Sequence, residues 1–441
     1  MPKRHVVVGG GTAGHNAINA IRQEEQERSE IVLVADERPY SRMVLPYYLG
    51  RTIAESHVFT ATPARLVQLG VTAHLGRRAT GLDARAGKLS LDDGTALEYD
   101  DLLIATGSSP VRPPVPGADG PGVHSFWTLD QARRVVVETR AGGHVVMVGA
   151  GFIAFTILNS ILALGARLTI VEIAPQILPR MIDRTGAEVV EAWLRKHGVE
   201  VWTSATLTAI DQVDGKRRLR FGDGGDLDAD VVIMATGIRP NLEWLRDSGI
   251  RVNRGVVVDD HLRSSAPSVY AAGDVAEGRD LVTGAPDVHA IEPTAMEHGR
   301  VAGANMAGRD VAYRGSLLMN ILDVCHLDVT SFGRWEDPDA EAFVARRPGR
   351  QAYRKLLWRG DRLTGAMLVG LAEDVWTTND VGMLKGLVQS GVPLGPWKEH
   401  LRRNPFDVKP AFVATKTTAR LLPETVLGRP SSPPGIVWAT A

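Results

Sequence analysis

Short, unbroken apolar runs recur along this chain, and each ends at a glycine or an acid rather than in polar alternation. Residues 6–8 (VVV), 31–34 (IVLV), 102–105 (LLIA), 145–148 (VVMV), 168–171 (LTIV) and 269–272 (VYAA) are four-residue-scale runs rich in β-branched side chains. Runs of that length, bounded by glycine, read as strands buried on both faces of a parallel sheet. Between them the spacing predicts helices, one from near Thr12, an apolar one ending at Gly165, and one opened by Pro293 and ending near Gly308. A strand is expected at residues 71–74 and a hairpin around Asp92-Asp93-Gly94. Prolines 110, 113, 114 and 116 end the first block at a crossover, and Arg239-Pro240-Asn241 ends the second.

The glycines give those strand ends a chemical meaning. Gly9-x-Gly11-x-x-Gly14 follows the first strand, and Gly149-x-Gly151-x-x-Ala154 follows the strand at 145–148. In such a turn the first glycine allows the tight bend and the second lets backbone approach a pyrophosphate. The third lets helix pack on strand, with free N–H groups aimed at the phosphates. Each cradle is answered by an acid at the end of the next strand, Asp36-Glu37 and Glu172, where a carboxylate can accept hydrogen bonds from a ribose. Each is answered again by Ala-Thr-Gly, at Ala105-Thr106-Gly107 and at Ala235-Thr236-Gly237. One such motif is weak; two with matched followers in the same order predict two dinucleotide sites. A strand ending in Gly273-Asp274 offers a further carboxylate to sugar-type hydroxyls, and the helix at Pro293-Thr294-Ala295 presents an electropositive end.

Composition narrows the classes. With 441 residues and 44% hydrophobic content the chain supports more than one core. Lys and Arg (50) balance Asp and Glu (51), so the basic footprint of a nucleic-acid binder is absent. No apolar run reaches membrane-spanning length, and Met1-Pro2-Lys3-Arg4 leads straight into the first strand, so a cytoplasmic protein is expected. The lone cysteine, Cys325, excludes an intrachain disulfide, a cysteine zinc site and a self-held iron–sulfur cluster. No metal site is expected; His289, His298 and His326 lack ligand spacing and are read as packing or surface residues.

This ordered set, over roughly residues 5–390, resembles the FAD-dependent pyridine nucleotide-disulfide oxidoreductase superfamily. The resemblance implies an α/β fold of glutathione-reductase type, with two Rossmann-like dinucleotide-binding domains and a C-terminal α+β interface domain. It implies an FAD domain at residues 1–112 and 240–312, a nicotinamide-nucleotide domain at 113–239, and an interface or dimerisation domain with a tail at 313–441. FAD is then expected on Gly9, Gly11, Thr12, Ala13 and Gly14, with Glu37 on the adenosine ribose and Ala79 beside the adenine. Arg42, Ala105, Thr106, Gly107, Gly273 and Asp274 complete that set, Asp274 facing the ribityl chain, with Pro293, Thr294 and Ala295 at the flavin N1/O2 edge. The nicotinamide nucleotide is expected on Gly149, Gly151, Phe152, Ile153, Glu172 and Gly237. NAD(H) is expected over NADP(H), because Glu172 would repel a 2′-phosphate and no arginine occurs at 173–179, although Ala154 at the third glycine position leans the other way.

The run Tyr40-Ser41-Arg42-Met43-Val44-Leu45-Pro46-Tyr47-Tyr48, expected as an ordered loop over the ligand, narrows the branch. Relatives similar to coenzyme A disulfide reductases and NADH oxidases carry a cysteine where this chain has Met43, and a thioether cannot run a thiol cycle. Tyr40-x-Arg42-x-x-Leu45 is more similar to nitrite reductase flavin modules and to rubredoxin- or ferredoxin-type reductases. Tyr313-Arg314-Gly315-Ser316, Met319-Asn320, Tyr353-Arg354-Lys355-Leu356 and the stretch from Gly365 to Gly370 are similar to their C-terminal domain. The resemblance implies hydride transfer from NADH to FAD and onward delivery to an external acceptor, expected to be an iron–sulfur or rubredoxin-type protein. Two departures stand out: Ala154-Phe155-Thr156 lacks the glutamate many relatives place near the nicotinamide, and Glu292 replaces an aromatic residue. No catalytic residue is certain, Arg42 and Glu292 being the candidates, and Cys325 is expected to be a buried small hydrophobe. Alternatives are a flavin-bound NADH-sensing or assembly protein, or an NADH oxidase or quinone reductase, although Pro430–Pro434 holds no amphipathic membrane helix. Trp335, Trp358, Trp376, Trp397 and Trp438 suggest a core and a homodimer contact late in the chain. Lys398, Arg402, Arg403 and Lys409 among Trp397, Phe406 and Phe412 suggest a docking surface or a solvated tail.

Overall fold

A computed structural model describes residues 2–26 and 28–421, with side chains throughout except at 375–377. The Pro430–Pro434 run, Trp438 and the Trp376 side chain therefore lie outside the described residues.

The apolar runs pair as two parallel five-stranded sheets. In the first, Arg4–Val8 lies between Glu30–Ala35 and Asp101–Ile104, with Val71–Leu75 and Val269–Ala271 at the edges. In the second, His144–Val148 lies between Arg167–Val171 and Val231–Met234, with Glu200–Trp202 and Val123–Ser125 outermost. Each central strand is buried throughout or nearly so, which is why its sequence carries no polar alternation. Each sheet also sends out a three-stranded antiparallel excursion, Ala79–Asp83 to Ala96–Glu98 in one and Leu207–Val213 to Asp226–Ala229 in the other. The expected hairpin at Asp92-Asp93-Gly94 is the second turn of the first excursion.

Both crossovers run side by side: Ser108–Pro110 pairs antiparallel with Ile238–Pro240, so the chain leaves the first sheet and returns to it through one two-stranded ribbon. The returning chain adds Val269–Ala271 to the first sheet and then the helix Glu292–Met306. That helix packs on the first helix, Thr12–Glu25, at backbone distance. A Cβ on Gly299 would stand 2.2 Å from the Ala13 carbonyl oxygen, and one on Gly303 would stand 2.5 Å from that of Ala17. Ile18 and Ile21 of the first helix are fully buried beside this seam, contributing about 1.5–3 kcal/mol each.

The last part of the chain forms a five-stranded antiparallel sheet, ordered Met319–Val324, Leu327–Gly333, Arg362–Leu371, Ala352–Arg359, Glu341–Arg347. One core beneath it joins Val324, Val329, Tyr353 and Met367 to the apolar helix Phe152–Ala163 and to Leu45 and Leu49. Another joins Leu356, Trp358 and Leu368 to Leu384, Leu387, Leu401, Val408 and Ala411. Helices Pro396–Arg403 and Val408–Ala414 thus pack into the domain, which corrects the solvated-tail alternative: Leu401 and Ala411 are apolar anchors spaced to bury one face of each helix.

Residues 39–48, expected as a loop, are partly helical. A 3-10 turn at Arg42–Val44 runs into a helix at Leu45–Leu49. Pro46 sits in its first turn, where a missing N–H costs nothing, and Leu45 and Leu49 bury one face.

Candidate functional site

Three of the longer helices begin without a side-chain cap. Helices Pro63–Gln68, Leu129–Glu138 and Arg184–Lys196, by contrast, open on side chains that take a first-turn N–H: Thr62, Thr128 and Asp183 accept from Arg65, Gln131 and Gly186 respectively. The helices at Thr12–Glu25, Phe152–Ala163 and Glu292–Met306 open on Gly11, Gly151 and Ile291, with no side-chain cap. Their first-turn N–H groups and positive dipole ends are left for an anion.

The glycines of each cradle divide into two kinds. Gly9 has φ +115°, and a Cβ there would lie 2.1 Å from the Ala105 carbonyl oxygen; on Gly14 it would lie 1.9 Å from that of Gly9. These two positions are closed by the protein itself. A Cβ on Gly11 would meet nothing within 4 Å. The second cradle repeats this, with Gly149 (φ +101°) 2.4 Å from the Ala235 oxygen, Gly151 open, and buried Ala154 fitting where the third glycine is expected. Glycine at Gly11 and Gly151 is not demanded by the fold, so the space in front of them suits a group that approaches backbone closely, as a pyrophosphate does.

Around the first cradle the expected residues converge. A Cβ on Gly273 would stand 3.1 Å from Ala13 and 3.5 Å from Ala295 Cβ atoms, placing it between the first turns of two uncapped helices. Asp274 Oδ2 accepts from Ser108 Oγ at 2.7 Å. Arg42 lies beside Gly107, its Nη1 3.6 Å from where a Cβ would stand, and its Nε donates to the Trp127 carbonyl at 3.0 Å. Thr106 and Asn241 exchange hydrogen bonds across the ribbon. Thr294 is buried and donates to Ser316 Oγ at 2.9 Å, while Pro293 is exposed one residue inside the helix. Glu292 Oε1 accepts from Thr12 Oγ1 at 3.0 Å and from Ser41 Oγ at 2.6 Å.

A cleft of about 1010 Å³ lies between the two sheets' domains, lined by Glu37, Arg38, Arg78, Gln131 and Arg133 among others. Within it Tyr40 joins the two sides. Its hydroxyl donates to Glu37 Oε2 at 2.5 Å and accepts from Leu129 N–H at 2.9 Å, and burial raises its pKa well above the usual phenol range. Arg133 adds a bidentate bond to Glu55 from the other domain. Ala79 opens the first excursion, half-buried one strand away from Glu37.

At the second cradle Glu172 is buried, and both its oxygens are used: Oε2 accepts from Ala150 N–H at 2.6 Å and Oε1 from Ala174 N–H at 2.8 Å. The acid therefore shapes the glycine turn as well as offering charge. Phe152, Ile153 and Gly237 are half-buried there, and Thr156 turns its hydroxyl onto the Ile153 carbonyl at 2.7 Å, inside its own helix.

Cys325 stands apart. It sits in the tight turn between two strands of the C-terminal sheet, 9% exposed, and burial pushes its thiol up to about 11. A thiol so placed is a poor source of thiolate. Met43, by contrast, is 45% exposed. No group of three metal-ligating side chains occurs among the described residues. His289 and His298 are buried, His326 is exposed, and His298 is pushed down to about 3 by burial, with His289 adding to it. His298 accepts from Gly273 N–H at 3.3 Å through Nδ1. Sequence reading did not find Ser108, Trp127 or the Tyr40 bridge, and took His298 only as a packing or surface residue; Tyr40, three residues after Glu37 in an aromatic cluster, carried the one signal for the bridge. The basic residues after 391 are largely engaged, Lys398 with Glu341, and Arg402 and Arg403 with Glu399.

Residues 3–297 match the pyridine nucleotide-disulphide oxidoreductase family, and residues 319–380 match the rubredoxin NAD+ reductase C-terminal domain. The chain is 30% identical over 412 residues to the epsilon subunit of the NADH-dependent phenylglyoxylate dehydrogenase of Aromatoleum evansii, covering 92% of this chain and 96% of that one. It is 28% identical over 376 residues to the assimilatory nitrate reductase electron transfer subunit of Bacillus subtilis, covering 84% of this chain and 48% of that one. Among solved structures, the NAD-dependent persulfide reductase from A. fulgidus superposes with a TM-score of 0.83 at 27% identity, covering 95% of this chain and 83% of that one.

Proposed function

Because the chain belongs to the pyridine nucleotide-disulphide oxidoreductase family, an NAD(P)H-dependent flavoprotein oxidoreductase group whose members bind FAD, we propose that it oxidises NADH and passes the electrons to a separate protein carrying an iron–sulfur or rubredoxin-type iron centre. The observation that carries this reading is the duplicated open cradle, Gly11 and Gly151, each facing an uncapped helix. The residues present suit both cofactors. Gly11, Thr12, Ala13, Arg42 and Asp274 would hold FAD, with Glu37 at its adenosine end; Gly151, Glu172 and Gly237 would hold NADH. Bound FAD supplies a two-electron sink for hydride and a one-electron source for the exit.

The chain's own part is alignment and electrostatics. The Gly11 and Gly151 turns fix two pyrophosphates on dipole ends, and the ribbon of Ser108–Pro110 with Ile238–Pro240 holds the two sites in register. Met43 and the buried Cys325 leave no thiol to store electrons, which favours delivery outward. The match to a rubredoxin reductase C-terminal domain and the likeness to a nitrate reductase electron transfer subunit support a protein acceptor. Domain borders at 112/113, 239/240 and 312/313 suit the sheets, since Val269–Ala271 returns to the first of them. Glu172 supports NADH over NADPH. A homodimer is part of the same reading; Trp335 and Trp358 are taken up by the chain's own core, so its support lies in Ile321 and Val344, exposed on the C-terminal sheet. Light scattering at micromolar concentration tests it, a monomer counting against. No helix among the described residues is long and apolar enough to cross a membrane.

The test of function is anaerobic reduction of the FAD-loaded protein by NADH, followed in a stopped-flow instrument, then reoxidation by rubredoxin, ferredoxin and dye acceptors. Rapid bleaching with fastest reoxidation by an iron protein supports the proposal. Thr156 in place of a glutamate favours a second reading, a slow NADH-sensing flavoprotein, and bleaching over minutes would select it.

A further inference from the structure

Glu292 is bound into the first cradle more tightly than a solvated loop acid needs to be. Its Oε1 accepts two hydroxyl hydrogen bonds, from Thr12 at the first residue of one uncapped helix and from Ser41, 251 residues away in sequence, while Glu292 itself is the first residue of another. Ser41 is buried, and its oxygen also accepts the Met43 N–H at 3.2 Å, opening the 3-10 turn at Arg42–Val44. That segment runs along the cradle: Pro39 Cγ lies 3.1 Å from a Cβ position on Gly10, and Arg42 lies beside Gly107. One carboxylate oxygen thus ties the strap at residues 39–44 to both helix ends. Two positive dipole ends and two hydroxyl donors compensate its charge, so the arrangement is stable without an arginine partner.

We propose that Glu292 is a positioning residue: its carboxylate latches the strap at residues 39–44 over the first cradle and so sets how fast FAD leaves. The inference rests on the reading of that cradle as the FAD site. The strap must part from Glu292 for a ligand lying along Gly9–Gly14 to escape sideways past Pro39 and Arg42. Ser41 is the hydrogen-bonded contact between strap and Glu292, so the two residues act as one device. A glutamine at 292 keeps an Oε1 that can accept both hydroxyl hydrogen bonds while removing the charge; an alanine removes acceptor and charge together.

The test measures FAD release from the full-length holoprotein, by the rise of free flavin fluorescence after dilution, in wild type, Glu292→Ala, Glu292→Gln, Ser41→Ala and the Ser41→Ala/Glu292→Ala pair. The latch predicts release about tenfold faster in Glu292→Ala and in Ser41→Ala, substantial rescue in Glu292→Gln, and no further acceleration in the double variant, because one contact cannot be broken twice. Wild-type release from Glu292→Ala, or multiplying effects in the pair, overturns the latch while leaving the FAD site in place. A wild-type protein that takes up no FAD overturns the reading of the cradle and the latch with it. Should Glu292→Ala fail to fold, Ser41→Ala and Glu292→Gln carry the comparison.

Discussion

Adding one methyl group at three neighbouring glycines should give two opposite outcomes. Gly9→Ala places a Cβ 2.1 Å from the Ala105 oxygen at φ +115°, and Gly14→Ala places one 1.9 Å from the Gly9 oxygen. Both contacts are with backbone, which can yield only by moving a central strand, so each variant should lose about 3 kcal/mol or more of stability with or without cofactor. A domain of this kind has roughly 5–15 kcal/mol in total, so low soluble yield is expected as well. Gly11→Ala differs. Its φ of −72° and ψ of −169° suit any residue, and a Cβ meets nothing within 4 Å. The gain from a stiffer unfolded chain and the loss of a favourable residue at the helix start nearly cancel, leaving apoprotein stability within about 1 kcal/mol of wild type. The methyl instead fills the space in front of the free N–H groups, and FAD affinity should fall at least tenfold, about 1.4 kcal/mol. Urea denaturation of the apoproteins and FAD titration by fluorescence quenching separate the two effects. If Gly11→Ala binds FAD as wild type does, or unfolds as readily as Gly14→Ala, the division of the cradle into structural and ligand-facing glycines is wrong.

Other substitutions probe other parts of the molecule. Glu172→Ala should weaken NADH about tenfold and NADPH much less, narrowing the preference; isothermal titration of both nucleotides decides it, and equal losses would assign the acid only to the Ala150 and Ala174 turn. Cys325→Ser should retain NADH-dependent dye reduction, since the thiol is buried and raised to about 11, and loss of turnover with FAD retained would revive a thiol mechanism. Arg354→Ala should cost about 3–5 kcal/mol by leaving Asp380 buried without its 2.6 Å partner, read as a lower unfolding midpoint and faster proteolysis around Pro405. His298 has its pKa depressed from 6.5 to about 3 by burial, so the unfolded chain binds a proton that the folded one refuses. The stability linked to it is complete above about pH 6.5 and drains away as pH falls towards 3. His298→Gln should flatten that slope in pH-dependent denaturation, and an unchanged slope would count against it.

How much was legible in the chain depended on whether the signal was local. Strand, glycine turn, helix and acid lie within about thirty residues of each other, so both cradles could be read directly, and the match over residues 3–297 bears out the family and cofactors they implied. The site's cross-links were not legible. Thr12 meets Glu292 across 280 residues, and Tyr40 meets Leu129 across 89, contacts that follow from sheet order and helix packing rather than from spacing. Residues 39–48 misled because two prolines and three tyrosines suggest a loop, whereas burial of Leu45 and Leu49 decides for a short helix. Of the tryptophans, Trp335 and Trp358 take the core role, packed inside the chain's own domain.

The interleaving of the two sheets also sets the order in which they can form during synthesis. Every strand of the second sheet lies between residues 123 and 234, so that sheet is complete soon after the ribosome passes them. The first sheet is not. Its helix Thr12–Glu25 needs Glu292–Met306 to cover Ala13, Ala17 and Ile21, a segment made about 270 residues later, or about 13–54 s at typical elongation rates. Throughout that interval the earliest-made part of the protein presents an apolar seam, while the later-made middle already holds every strand of its own sheet. Nascent chains halted near residue 280 should therefore show protease protection over 123–234 and none over 4–25, and those halted beyond residue 350 should show both.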